Sequence, residues 1–174
     1  MGLKGSCMCK AIKYESTGRL ARLQHRVNHA DKKQRTLKSP PCATAQIAKR
    51  YENPNIRTLI KSIHVANELQ WSGSAFTSNA VVPRTSFKVT QGEPKFYDIT
   101  GDSGKNNRHF FCSNCGSSLY TELDLMADVT CIKAGGLDEG KASLEGKPAV
   151  EFYCKDRVSY LVDVKGADQK PAFS

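Results

Sequence analysis

The sequence predicts a mainly-β fold of short antiparallel strands, with an irregular or helical insertion before residue 71. Three observations lead there. Short strand-like runs recur after Trp71, glycine and proline punctuate them at close intervals, and two tight cysteine pairs stand about a hundred residues apart. Many short strands with glycine-rich turns pack as stacked or curled sheets.

The elements follow in order. Residues 9–15 alternate polar and apolar side chains, interrupted at Ala11 and Ile12, and read as a first strand. Residues 18–41 are basic and polar, show neither a helical nor a strand period, and end in Pro40-Pro41. In residues 55–70, Ile56, Leu59, Ile60 and Ile63 recur at helical spacing and predict a helix with one packed face. Beyond Trp71 the predicted strands are 75–82, 86–90, 95–99, 109–111, 118–122, 129–134, 150–154 and 160–164. Pro83, Gly92-Glu93-Pro94, residues 101–104, Gly116, Gly135-Gly136 and residues 146–148 separate them as turns. No internal repeat is visible, so the 174 residues form a single domain with a length sufficient for its own core.

The formal net charge is +9. Such an excess invites a nucleic-acid reading, but its distribution argues otherwise. Residues 18–62 hold eleven of the 26 basic residues and only two of the 17 acids, Asp31 and Glu52, so the remainder of the chain is neutral. Nucleic acid is therefore not the expected partner. The segment 18–70 stands out as an anomalous basic stretch inside the domain. No apolar run approaches a membrane span, and the residues from Met1 to Cys9 do not resemble a signal peptide. The expectation is a cytoplasmic protein with no membrane partner.

Seven cysteines occur, four of them in Cys7-x-Cys9 and Cys112-x-x-Cys115. In a chain without secretory features, tight pairs favour a metal over a disulfide framework. Zinc takes four soft ligands in a tetrahedron, and Cys7, Cys9, Cys112 and Cys115 supply two pairs at suitable spacing. Gly5-Ser6 and Gly116-Ser117-Ser118 flank them with small residues that let the backbone turn around an ion. Buried free thiols and a redox Cys-x-x-Cys are the alternatives, although a redox motif would open a helix in a βαβ setting that this sequence lacks.

A wider set of motifs now becomes informative. Gly5-Ser6-Cys7-x-Cys9, residues 71–76 (Trp-Ser-Gly-Ser-Ala-Phe), Gly92-Glu93-Pro94, Ser103-Gly104, Arg108-x-Phe110-Phe111-Cys112-x-x-Cys115-Gly116-Ser117 and residues 134–138 (Ala-Gly-Gly-Leu-Asp) occur in this order. Together they resemble the glutathione-dependent formaldehyde-activating (GFA) family, which includes the centromere-protein branch CENP-V, over roughly two-thirds of the chain. The resemblance implies a small β-fold holding two zincs. One is structural and falls on Cys7, Cys9, Cys112 and Cys115. The other is catalytic, held by a C-H-C-x-x-C-x-K motif just before the Ser-Gly-Ser turn, with its fourth position open to substrate. The implied chemistry is that of a carbon–sulfur lyase acting on glutathione or another small-molecule thiol adduct, the glutathione–formaldehyde adduct being the namesake case.

This sequence departs from the pattern at the second metal. Residues 63–70 read Ile-His-Val-Ala-Asn-Glu-Leu-Gln, so three cysteines are missing and only His64 stands where the motif has its histidine. His64 and Glu68, at i and i+4, offer at best a weak pair. The second zinc is therefore not expected in this copy. The genetic code suggests a cause. Codons permitted for residues 42–50, read two bases later, allow Cys-His-Cys-x-Asp-Cys-Gln-Lys. Residues 51–70 allow a splice donor, a branch point and an acceptor just ahead of Trp71. Residues 18–50 then read as out-of-frame translation, and 51–70 as a translated intron.

Cys42 would be an accidental thiol. Cys131 and Cys154 fall in strand-like runs and read as small buried hydrophobes, while His25, His29 and His109 lack ligand spacing. Arg108 suits either a substrate carboxylate or a neighbouring acid beside the structural zinc. Ser72, Gly73 and Ser74 match the loop next to the family's catalytic metal, where backbone N–H groups would orient a thiol, and otherwise form an ordinary turn. Trp71 reads as core. Two functional readings result: an impaired GFA-type lyase, or a non-catalytic zinc-stabilised module that binds protein or chromatin through the basic segment.

Overall fold

The computed structural model describes residues 2–18, 22–27, 71–101, 103–137 and 147–172. Two sheets make up the architecture. The smaller has the order β1–β2–β5, with β1 Leu3–Ser6, β2 Lys13–Ser16 and β5 Phe87–Gln91. The larger is eight-stranded, with the order β11–β10–β3–β4–β9–β8–β7–β6. Its strands are β3 Arg22–Val27, β4 Phe76–Pro83, β6 Lys95–Thr100, β7 Asn106–Phe111, β8 Ser118–Leu123, β9 Met126–Lys133, β10 Val150–Phe152 and β11 Asp168–Gln169. The fold is mainly β, as expected. Most pairings are antiparallel, as expected, and β10 is the exception, running parallel to both β3 and β11.

Aromatic packing joins the two layers. Tyr14 on β2 and Phe87 on β5 point from the small sheet onto Tyr120 on β8, with Phe87 and Tyr120 ring centroids 4.6 Å apart. Phe110 on β7 stacks on Tyr120 at 4.3 Å. Ala80, Val82 and Ile132 fill the space around them and are fully buried. Each such ring removes on the order of 150–250 Å² from water, so this cluster fixes the small sheet on the large one. It also fixes the β1–β2 turn beside the β7–β8 turn, where the cysteines lie.

Two strand expectations fail for identifiable reasons. Residues 160–164 are an apolar, strand-like run, yet Tyr160 and Val162 are exposed and the segment forms no ladder. Its backbone is engaged otherwise: Leu161 N–H donates to Val158 O, Val164 N–H to a Glu151 carboxylate oxygen, and Val162 O accepts from Arg157. Conversely, Arg22–Val27 lies in a stretch that shows no strand period, and it forms β3 because β4 and β10 pair with it from both sides. The predicted helix at 55–70, His64, Glu68, Cys42 and His29 fall outside the described residues. Among the described residues, no helix is long and apolar enough to cross a membrane.

Candidate metal centre

Each cysteine pair occupies a hairpin connection. Cys7 and Cys9 sit in the β1–β2 turn, which Cys7 N–H closes onto Ile12 O and Lys10 N–H onto Cys7 O, both at 3.0 Å. Cys112 and Cys115 sit in the β7–β8 turn, closed by Cys112 N–H to Ser117 O at 3.0 Å and Gly116 N–H to Cys112 O at 2.8 Å. Both turns need a left-handed residue just after the last cysteine. Gly116 meets that need at φ 72°, and Lys10 meets it at φ 62° against the steric preference of a side chain. Met8 N–H donates to Ser117 Oγ at 3.1 Å, so a hydrogen bond links the two turns directly.

The geometry brings four sulfurs together. The ligand atoms of Cys7, Cys9, Cys112 and Cys115 all lie within 4.8 Å of one another. Cys7 and Cys9 sulfurs are 3.5 Å apart, and those of Cys9 and Cys112 are 3.8 Å apart. A tetrahedral ion with sulfur at about 2.3 Å requires sulfur–sulfur edges of about 3.8 Å. The set therefore has the dimensions of a four-sulfur metal site and could hold one. Outer contacts orient the sulfurs: Ile12 N–H donates to Cys7 Sγ and Asn114 Nδ2 to Cys9 Sγ, both at 3.3 Å, while the Ser117 hydroxyl lies 3.2 Å from Cys115 Sγ.

The thiols pull apart electrostatically. The Ser117 hydroxyl, with the Ser117 and Cys9 N–H groups, brings Cys115 down to about 5. Burial works to raise Cys7, but the Ile12 N–H and the Cys9 and Cys112 thiols hold it below its ordinary value. At Cys112 the Cys115 N–H favours the thiolate, yet burial and the Cys115 and Cys7 thiols prevail and push it up to about 11. Sulfurs this close cannot all carry charge without a cation among them. A bound divalent ion removes the conflict by holding every ligand as thiolate.

The remaining candidates take other positions. Arg108 pairs with Asp98 through Nε at 3.0 Å and lies over the Phe96 ring, so it serves the neighbouring-acid alternative. In the Ser-Gly-Ser loop, Ser74 N–H donates to Ser72 Oγ at 3.2 Å and Phe76 N–H to Ser74 Oγ at 3.4 Å. Those two N–H groups are thus directed at the loop's own hydroxyls. Trp71 donates through Nε1 to Ser118 Oγ at 3.0 Å and leans on His109 at 5.0 Å. His109, buried, has Nδ1 3.1 Å from Thr121 Oγ1. Cys131 is buried on β9, but Cys154 is half-buried and opens a 3₁₀ turn after β10 ends at Phe152, which corrects its assignment to a strand.

Sequence reasoning missed three contributors: Lys10, Asn114 and the Ser117 hydroxyl. A signal for Lys10 was available, because it stands just after Cys9 as Gly116 stands just after Cys115.

Comparison with known proteins completes the picture. No curated protein sequence matches the chain. A crystal structure of a Rhodobacter sphaeroides protein, a structural-genomics target, aligns at 15% identity and a TM-score of 0.40 over 78% of this chain and 88% of that one. The family model described as glutathione-dependent formaldehyde-activating enzyme matches residues 42–156, a span containing the second cysteine pair. The chain belongs to the glutathione-dependent formaldehyde-activating enzyme (GFA) family.

Proposed function

We propose that this chain is a one-zinc member of its family, folded around Cys7, Cys9, Cys112 and Cys115, in which the carbon–sulfur lyase chemistry is severely impaired. The single observation behind the proposal is the four-sulfur cluster, all within 4.8 Å of one another and with two edges at 3.5 and 3.8 Å. An ion there supplies cross-linking: it ties two turns about a hundred residues apart, and its binding free energy becomes folding free energy. Four protein sulfurs leave such an ion no open position. Lyase turnover on a glutathione adduct needs a second ion with one position free, and that ion's cysteines are absent ahead of Trp71, where Ile63 and Val65 stand instead.

The chain's own residues then act in defined ways. Ile12 N–H, Asn114 and Ser117 orient the sulfurs by hydrogen bonds, and Trp71 holds the Ser-Gly-Ser loop against β8 through Ser118. Metal analysis of the purified chain is expected to give one zinc and no turnover of the glutathione–formaldehyde adduct. Two tightly bound zincs, or turnover, would overturn the reading. We further propose that residues 51–70 arise from an intron and that residues 18–50, apart from the paired strand Arg22–Val27, come largely from a shifted frame. Sequencing the mature transcript tests this, and finding codons 51–70 in the translated message defeats it.

A further inference from the structure

Among the described residues, β6 ends the larger sheet, and β7 is the strand that pairs with it. Its ladder with β7 runs through all six positions, from Lys95 to Thr100, without a bulge. Every residue but Ile99 is exposed, Phe96 at 54% and Tyr97 at 62%. Edge strands are ordinarily blunted by proline, charge, bulges or a covering segment. Here Pro94 and Lys95 blunt the first end, and the stretch from Phe96 to Thr100 carries Asp98 as its one charge. A regular edge bearing two aromatics is a template for a further strand.

The β6–β7 ladder decides which backbone groups are on offer. Gly101 N–H donates to Lys105 O at 2.8 Å, and the bonded pairs of an antiparallel ladder recur every second residue. Ile99, Tyr97 and Lys95 therefore turn their N–H and C=O groups towards Asn107, His109 and Phe111. The groups of Phe96, Asp98 and Thr100 point away from β7. Asp124 N–H agrees with this phase: it donates to the carbonyl of Asn106, the residue opposite Thr100, from the far side of β7.

A strand that meets its own copy about a twofold axis runs antiparallel to it, and outward groups must face outward groups. An axis through Asp98 would set two carboxylates against each other, which is unfavourable. An axis through Phe96 would set Asp98 against Pro94, which has no N–H to give. An axis through Tyr97 avoids both. Phe96 then exchanges two hydrogen bonds with Asp98 of the other copy, and the reverse pair repeats them. The two Tyr97 residues meet at the close position, about 4.5 Å between Cα atoms. Charge fits as well. Arg108 lies 4.9 Å from the Phe96 ring centroid, so the incoming Asp98 carboxylate arrives beside a guanidinium. No like charges stand opposite each other.

We propose that β6 is a self-association edge, pairing with β6 of a second copy of this chain about an axis through Tyr97 and continuing the larger sheet across two molecules. This goes beyond the proposed function and uses neither the four sulfurs nor the residues ahead of Trp71. The zinc count and turnover assay therefore decide that reading independently.

The test is sedimentation velocity of the purified full-length chain from about 1 μM to about 1 mM, with amide exchange measured at both ends of that range. A concentration-dependent dimer is expected. Exchange at Phe96 and Asp98 should slow as the dimer forms, while that at Tyr97 and Ile99, already bonded to β7, stays the same. Tyr97→Lys puts two ammonium groups on the axis and should weaken association about tenfold or more, with an unchanged melting temperature. A monomer at every concentration would overturn the proposal, and so would one whose β6 amides become protected only on adding an extended valine–threonine peptide. A dimer that protects other amides, or one that Tyr97→Lys leaves intact, would overturn it equally.

Discussion

The cysteine corner and the carboxy-terminal clasp both fasten an end of the chain, but by opposite chemistry. At the corner, four sulfurs from two turns converge within 4.8 Å, and their thiols cannot all ionise unaided. At the clasp, Glu151 on β10 is nearly completely buried and fully partnered. Arg157 donates to both of its oxygens, at 2.9 and 3.2 Å, and Val164 N–H and Gln169 Nε2 complete the set at 2.9 and 2.6 Å. Burial alone would raise this carboxyl, yet hydrogen bonds from Arg157, Gln169 and Val164 bring it down to about 2. The clasp is therefore self-sufficient, whereas the corner could carry four thiolates only with a cation from outside. The first follows proton activity and the second metal supply.

That contrast can be broken at several points. Removing metal with a strong chelator at neutral pH has the largest expected effect: loss of the cooperative thermal transition and of near-UV circular dichroism, with Cys112→Ser behaving alike. A chelated protein that melted like the untreated one would show that the corner needs no ion. Glu151→Ala comes next. Removing one partner of a buried pair leaves Arg157 uncompensated, at a cost of about 3 kcal/mol, read by denaturant melts and by faster amide exchange in β10 and β11. Because the folded-state value lies below the unfolded one, the Glu151 contribution is fully present above about pH 4.5 and is lost as pH falls towards 2. In the mutant that acid-dependent part of the stability profile should vanish. If it persists, another group carries it.

Smaller effects sharpen the corner itself. Lys10→Gly should stabilise the folded chain by about 1 kcal/mol, since glycine takes the left-handed conformation without steric cost. Destabilisation would mean that the Lys10–Ser6 bond outweighs the strain. Arg108→Ala is expected to do least, because its pair with Asp98 is more than a third exposed on each side. Its melting temperature should stay within about 2 °C of the parent. A larger drop would give that pair a structural weight its exposure does not predict.

The sequence disclosed the chemistry of the corner better than its geometry. Two cysteine pairs at metal spacing are a local pattern, so Cys7, Cys9, Cys112 and Cys115 could be named before any fold was known. Lys10 was signalled only by its place after Cys9, matching Gly116 after Cys115, because its importance is a backbone angle that side-chain pattern does not record. The strands from β4 to β9 were legible from alternation and turn residues. β1 was not, since it is short and includes Gly5, whose role is its fit beneath the Tyr14 ring. β3 escaped because pairing on both sides, rather than its own pattern, makes it a strand. Residues 160–164 misled for the converse reason: an apolar, strand-like run lost its ladder to side chains of the Glu151–Arg157 clasp.

X-ray absorption at the zinc edge of the purified, full-length chain tests the account most directly. It predicts a single zinc environment of four sulfurs at about 2.3 Å, abolished together with the folded state when Cys7 and Cys112 are both replaced by serine. A first shell containing nitrogen or oxygen ligands, or a folded protein that retains zinc after that replacement, would contradict it.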